Sequence, residues 1–139
     1  MSHLKDITLL TKRLETEWAG PSGDKTAPLL YENSAASATI PAKFIRLHVR
    51  PGTQQKRNLG NDRHRVERTG RVWVHVAIPK TTATGIAWSL SDKVSSIFAN
   101  WTSPDGSLRC GEIITDVVES KDHYMIAVKI TYSSSRIEF

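Results

Sequence analysis

Arg68-Thr69-Gly70-Arg71-Val72-Trp73-Val74-His75-Val76-Ala77-Ile78-Pro79 alternates more regularly than any other stretch of this chain. Val72, Val74, Val76 and Ile78 fall on one side, and Arg71, Trp73, His75 and Ala77 on the other. That period of two is what a half-buried strand requires. Upstream, Phe44-Ile45-Arg46-Leu47-His48-Val49-Arg50 repeats it, with Ile45, Leu47 and Val49 on the apolar face, and stops at Pro51-Gly52. Downstream, Tyr124, Ile126, Val128, Ile130 and Tyr132 alternate again, after a strand over residues 110–118 and a hairpin connection at Ser120-Lys121-Asp122. Leu29-Leu30-Tyr31-Glu32 adds a short strand.

Two segments carry the other period. Leu4, Ile7, Leu10, Leu14 and Trp18 recur at spacings of three and four, with Ser2 placed to cap the helix they define. Gly20-Pro21-Ser22-Gly23-Asp24 ends it. Ile86, Leu90, Val94, Ile97 and Trp101 define a second helix, closed by Ser103-Pro104-Asp105-Gly106. The order predicts an α+β fold: a mostly antiparallel five-stranded sheet, one strand short, with both helices packed on one face. Trp18, Val74, Leu90 and Val128 are expected to be buried together, and residues 133–139 to fray.

The chain has 139 residues, 39% of them hydrophobic and 24% charged, with a mean hydropathy of −0.34. That supports one domain over 1–139 with a single core. The opening Met-Ser-His-Leu-Lys-Asp lacks the apolar run of a signal peptide, and no stretch approaches membrane-spanning length, so the expected setting is a reducing cytoplasm. One cysteine, Cys110, excludes an intrachain disulfide and reads as a structural thiol.

No phosphate-binding glycine loop, His-Glu-x-x-His, paired-cysteine spacing or nucleophile elbow occurs, so no catalytic, cofactor or metal residue is assigned. His48 and His75 lie on the polar faces of two strands that are expected to pair, and no local carboxylate or cysteine completes a site with them. Trp18 and Trp101 belong to helix stripes, whereas Trp88 lies off its stripe, where partner contact and packing at the domain margin weigh equally.

The net charge of +5 is concentrated. Lys43, Arg46, Arg50, Lys56, Arg57, Arg63, Arg65, Arg68 and Arg71 stand against only Asp62 and Glu67, a local +7, while the rest of the chain carries −2. Within this segment residues 53–65 contain one sizeable aliphatic side chain, Leu59, and read as a long, mobile basic loop. Lys56, Arg57, Arg63, Arg65 and Arg68 are the candidate partner-binding residues. A nucleic-acid-binding module using residues 43–71 is the alternative, because arginines and lysines neutralise phosphates. Asn58, Gly60, Asn61 and Asp62 interrupt the basic run, so weak or no nucleic-acid binding is expected.

Several elements in order carry a resemblance. They are the N-terminal helix, the approach over residues 33–41, Phe44 to Gly52 followed by a polar loop, Arg68-Thr69-Gly70-Arg71-Val72-Trp73-Val74 followed by Ile78-Pro79, Gly85 before a helix, and a closing strand pair. Together they resemble the phage tail-terminator family, similar to the minor tail protein that caps the tube of long-tailed phages. The link from Pro79 to Gly85 is Thr-rich here, where that family has a Gly-rich one. The resemblance implies a non-enzymatic subunit of the virion tail, assembled in the host bacterial cytoplasm. Its implied partners are copies of itself in a hexameric ring, the tail tube protein and a head-completion or neck protein, with no membrane and no cofactor. It also implies that the loop after Pro51-Gly52 is an assembly contact.

Overall fold

The computed structural model describes residues 2–20, 23, 27–31, 43–60, 63–80, 84–118 and 123–138. The expected loop at 33–41 and the connection at 120–122 lie outside them. Helix α1 spans Ser2–Trp18, followed by strands β1 (Leu29–Tyr31), β2 (Phe44–Gly60) and β3 (Arg63–Pro79), helix α2 (Thr84–Phe98), and strands β4 (Leu108–Val118) and β5 (His123–Glu138). The sheet order is β1-β2-β3-β5-β4. Every neighbouring pair is antiparallel except β1 with β2, which run parallel.

The alternation read in β3 sets the layers. Val72, Val74, Val76 and Ile78 are fully buried and meet Ile126, Val128 and Ile130 of β5, Ile45 and Leu47 of β2, and Leu10, Leu14, Leu90, Val94 and Phe98 of the helices. Trp18 joins Val74, Leu90 and Val128 in this cluster, as expected. Each fully buried aliphatic side chain contributes about 1.5–3 kcal/mol of transfer free energy, which is what holds both helices on one face. Polar contacts fix their mutual position. The Arg13 guanidinium donates to the Ile97 carbonyl through Nε and a terminal nitrogen, at 3.0 and 2.9 Å, and lies over the Trp101 ring. It thereby satisfies an acceptor left open at the end of α2. Asn100, at φ 54°, terminates that helix in the left-handed conformation, so Trp101 falls outside it, partly buried against the core.

Two expectations need correction. Residues 53–60 and 63–65 are not an irregular loop. They are the outer halves of β2 and β3, paired from Gln54↔Arg68 to Gly60↔Arg63. Residues 133–138 are not a frayed tail, because β5 continues alongside β3 to His64↔Glu138. The result is a three-stranded arm that runs on past the start of β4 at Leu108.

Arm and body meet along one row of the sheet, Pro51↔Gly70↔Tyr132↔Cys110. In both β2 and β4 the register shifts just beyond this row, between Pro51 and Gln54 and between Cys110 and Ile113, each with one extra residue. Proline has no N–H for the ladder, and a bulge bends its strand and reverses which residues face the core. Odd positions of β2 therefore face inward before Pro51 and even positions after it. A side chain at Gly70 would meet the Arg50 carbonyl oxygen and the Tyr132 hydroxyl, each at 2.6 Å, and one at Gly52 would meet the Thr69 carbonyl oxygen at 2.7 Å. Only glycine fits the crossing.

Candidate functional site

The arm's register separates the positions of the five basic residues singled out in the sequence. Positions 54, 56 and 58 of β2 pair with 68, 66 and 64 of β3, which in turn pair with Ser134, Arg136 and Glu138, on the core side of the pleat. Lys56 and Arg68 belong to this side. Arg57, Arg63 and Arg65 hold the opposite positions, and Arg57 and Arg65 are directly paired.

On the core side of the arm a polar cluster replaces the apolar core. Asp6 of α1 is fully buried; it accepts from the Ser134 hydroxyl at 2.8 Å and forms an ion pair with Arg136. Arg68 is only 3% exposed, and its Nε donates to Gln54 Oε1 at 2.8 Å. Such a guanidinium holds the arm together and is not displayed to a partner. Lys56 and Arg65 are exposed.

The outer face of the sheet, opposite the helices, carries rows of Phe44–Ala77–Met125–Val118, Arg46–His75–Ala127–Asp116 and His48–Trp73–Lys129–Ile114. Rings and cations interleave there. Lys129 Nζ sits 4.6 Å from the Trp73 ring centre and 2.9 Å from Asp116 Oδ2, and Arg46 lies over Phe44. His48 and His75 do approach, their rings edge to face at 5.2 Å. Among the described residues no group of three or more His, Cys, Asp or Glu is placed to hold a metal ion. Burial first, then the charges of His48, Arg46, Arg50 and Lys129, push the His75 pKa down to about 4. The outer face is therefore basic, and His75 within it stays neutral at neutral pH.

At the bend this face opens into a cleft of about 830 Å³, lined among others by Arg50, Arg71, Trp73, Arg109 and Thr131. The sequence reading missed it, because its walls come from four strands, β2, β3, β5 and β4, distant in sequence and bulged there in β2 and β4. Cys110 also borders the cleft, and burial raises its thiol pKa to about 12, which leaves it a poor nucleophile. Trp88 is 40% exposed on α2, together with Ile86. No helix among the described residues is long and apolar enough to cross a membrane.

No curated protein matches the chain. Among 13 matching solved chains, one superposes over 100% of this chain and 97% of its own with a TM-score of 0.68 at 19% identity, a likeness of fold alone. The model of the family described as phage tail terminator protein matches residues 7–132. That span runs from within the first helix, at Ile7, to Tyr132 in β5 at the bend, so it takes in nearly all of the helix-covered body and the β2 and β3 strands of the arm. The chain belongs to the phage tail terminator family, and is a structural protein of phage tail assembly.

Proposed function

We propose that this protein caps the tail tube as a ring of six copies, stops tube polymerisation, and presents the surface to which the head is attached. Its partners on this reading are the tail tube protein on one side and a head-completion or neck protein on the other. The chain works in the virion tail after assembly in the host cytoplasm, without catalysis. Membership of the terminator family is what supports the reading, and one structural feature gives it a place to act: the arm, which extends the sheet beyond the helix-covered body.

The contact residues follow from the arm's two sides. Arg57, Arg63 and Arg65 share the outer side, where arginine positions 57 and 65 are directly opposed. Like charges directly opposed in a sheet repel, and an acidic partner surface removes that repulsion on docking. Lys56 joins them from the exposed edge, and Arg68 is left out because it is buried in the arm itself.

Deletion of the gene from its phage tests the proposal. Electron microscopy is expected to show tubes of irregular, excessive length and separate heads, with both defects corrected by the wild-type gene in trans. Tails of normal length joined to heads in the deletion strain contradict it.

A further inference from the structure

The cleft at the bend is separate from the arm contact and has its own chemistry. Glycine backbone and the hydroxyls of Thr131 and Ser133 form its floor, Trp73 supplies an aromatic wall, and Arg50, Arg71 and Arg109 stand around it. None of the lining residues is acidic. Arg71 and Arg109 are both exposed, and among the described residues neither makes an ion pair or a side-chain hydrogen bond. The basic groups beside the cleft are engaged differently: Lys129 is held by Asp116 and Trp73, and Arg46 lies over Phe44.

Spacing narrows the ligand. Arg71 pairs with Thr131, and Arg109 pairs with Ser133, so the two arginines stand two strands apart and two residues along. At about 4.8 Å per strand and about 3.3 Å per residue, their backbones are roughly 12 Å apart, the length of about four residues of extended chain. Residues four apart on an extended segment point to the same side. A guanidinium receives a carboxylate with two parallel hydrogen bonds; between the two arginines the glycine backbone leaves room for an apolar side chain, and Trp73 closes the end beyond Arg71. A single-stranded nucleic acid instead calls for a continuous cationic track with successive stacking platforms. Here Trp73 and the buried Tyr132 are the aromatic residues lining a pocket of about 830 Å³, which offers no run of exposed stacking platforms and room for a short segment only.

We infer that this cleft binds an extended acidic segment of a partner protein, one with two carboxylates about four residues apart and an apolar residue between them. Arg71 and Arg109 are the specificity-determining residues. The inference rests on the proposed assembly role only for the source of the segment, a neighbouring protein of the tail; the binding itself is a property of the isolated chain.

The test uses the full chain, labelled with nitrogen-15, and a capped peptide of sequence Gly-Glu-Thr-Val-Thr-Glu-Gly, whose valine shares a side with both glutamates. Saturable amide shifts are expected at residues 50, 52–53, 69–73, 109–111 and 131–133, weakening as salt rises. The double variant Arg71→Gln/Arg109→Gln is expected to raise the apparent Kd at least tenfold while leaving the rest of the amide spectrum in place. The arm variant Lys56→Glu/Arg65→Glu is expected to bind the peptide within twofold of the parent. Equal binding of a peptide with glutamine for both glutamates, equal binding by the double variant, or tighter binding of oligothymidylate than of the peptide overturns the inference. Normal tails in the gene deletion leave a positive titration standing and remove only the proposed source of the segment.

Discussion

Strands β2, β3 and β5 run through two regions that are held together by different forces. In the body, from Phe44 to Arg50 and from Arg71 to Pro79, one face of the sheet is closed by Val72, Val74, Val76, Ile126, Val128 and Ile130 against two helices. In the arm, beyond the row of Pro51, Gly70, Tyr132 and Cys110, the same face is closed by Val66, a buried arginine, a buried serine and one aspartate reaching down from α1. Non-directional burial stabilises the first region and specific polar contacts the second. It follows that the body tolerates changes of shape better than changes of polarity, and the arm the reverse.

The largest effect expected from that contrast lies at Val74, fully buried at the centre of the sheet. Val74→Asp places an unpaired charge among apolar neighbours, at a cost of about 4 kcal/mol or more, enough to unfold a domain of ordinary stability. Chemical denaturation or failure to recover soluble protein reports it. A cooperative transition at the parent midpoint would break the assignment of Val74 to the core side.

The arm has its counterpart in Asp6. Asp6→Ala leaves Arg136 buried without its carboxylate and Ser134 without its acceptor, for an expected loss of about 3 kcal/mol. Hydrogen exchange sharpens the comparison. Amides of Val66 and Ser134 should lose protection far more than those of Val74 and Val128. Uniform loss across all four would mean that arm and body unfold as one unit.

A smaller, pH-dependent effect belongs to the outer face of the body. His75 has its pKa lowered from 6.5 to about 4 in the folded chain, so below about pH 6.5 the unfolded state takes up a proton that the folded state does not. Stability is therefore expected to fall as pH drops from about 6.5 towards 4, by on the order of 2 kcal/mol once partial exposure is allowed for. The variant His75→Gln should show a flatter melting temperature between pH 6.5 and 5. Identical pH profiles for the two proteins would remove His75 as the cause.

These two kinds of stabilisation also explain what the sequence made legible. The body was readable because its residues alternate with the periods of strand and helix; Val72 to Ile78 and Leu4 to Trp18 announce their own geometry. The arm was not, because Thr53 to Arg65 offers Leu59 alone as an apolar marker, and its strands are held by cross-strand backbone pairing and by Asp6, whose partners lie about 130 positions away in sequence. Pro51-Gly52 has the composition of a strand end, yet Pro51 stays in the strand and a bulge beyond it carries β2 onward. The site shows the same division. Arg65 is exposed, as a basic contact requires, while Arg68 is buried, which depends on the reversal of facing beyond the bulge and on Gln54. The cleft with Arg109 had no local signal, since its walls come from four strands.

The smallest effect on stability coincides with the largest on function. Reversing Lys56, Arg57, Arg63 and Arg65 to glutamate changes no residue of the core cluster, and each change is expected to shift stability by no more than about 0.5 kcal/mol. Complementation of the gene deletion with this variant, scored by tail length in electron micrographs, tests the central claim that the arm is the docking element. A folded variant with an unchanged melting temperature that fails to restore uniform tails is the predicted result, and uniform, head-joined tails from the same variant would contradict it.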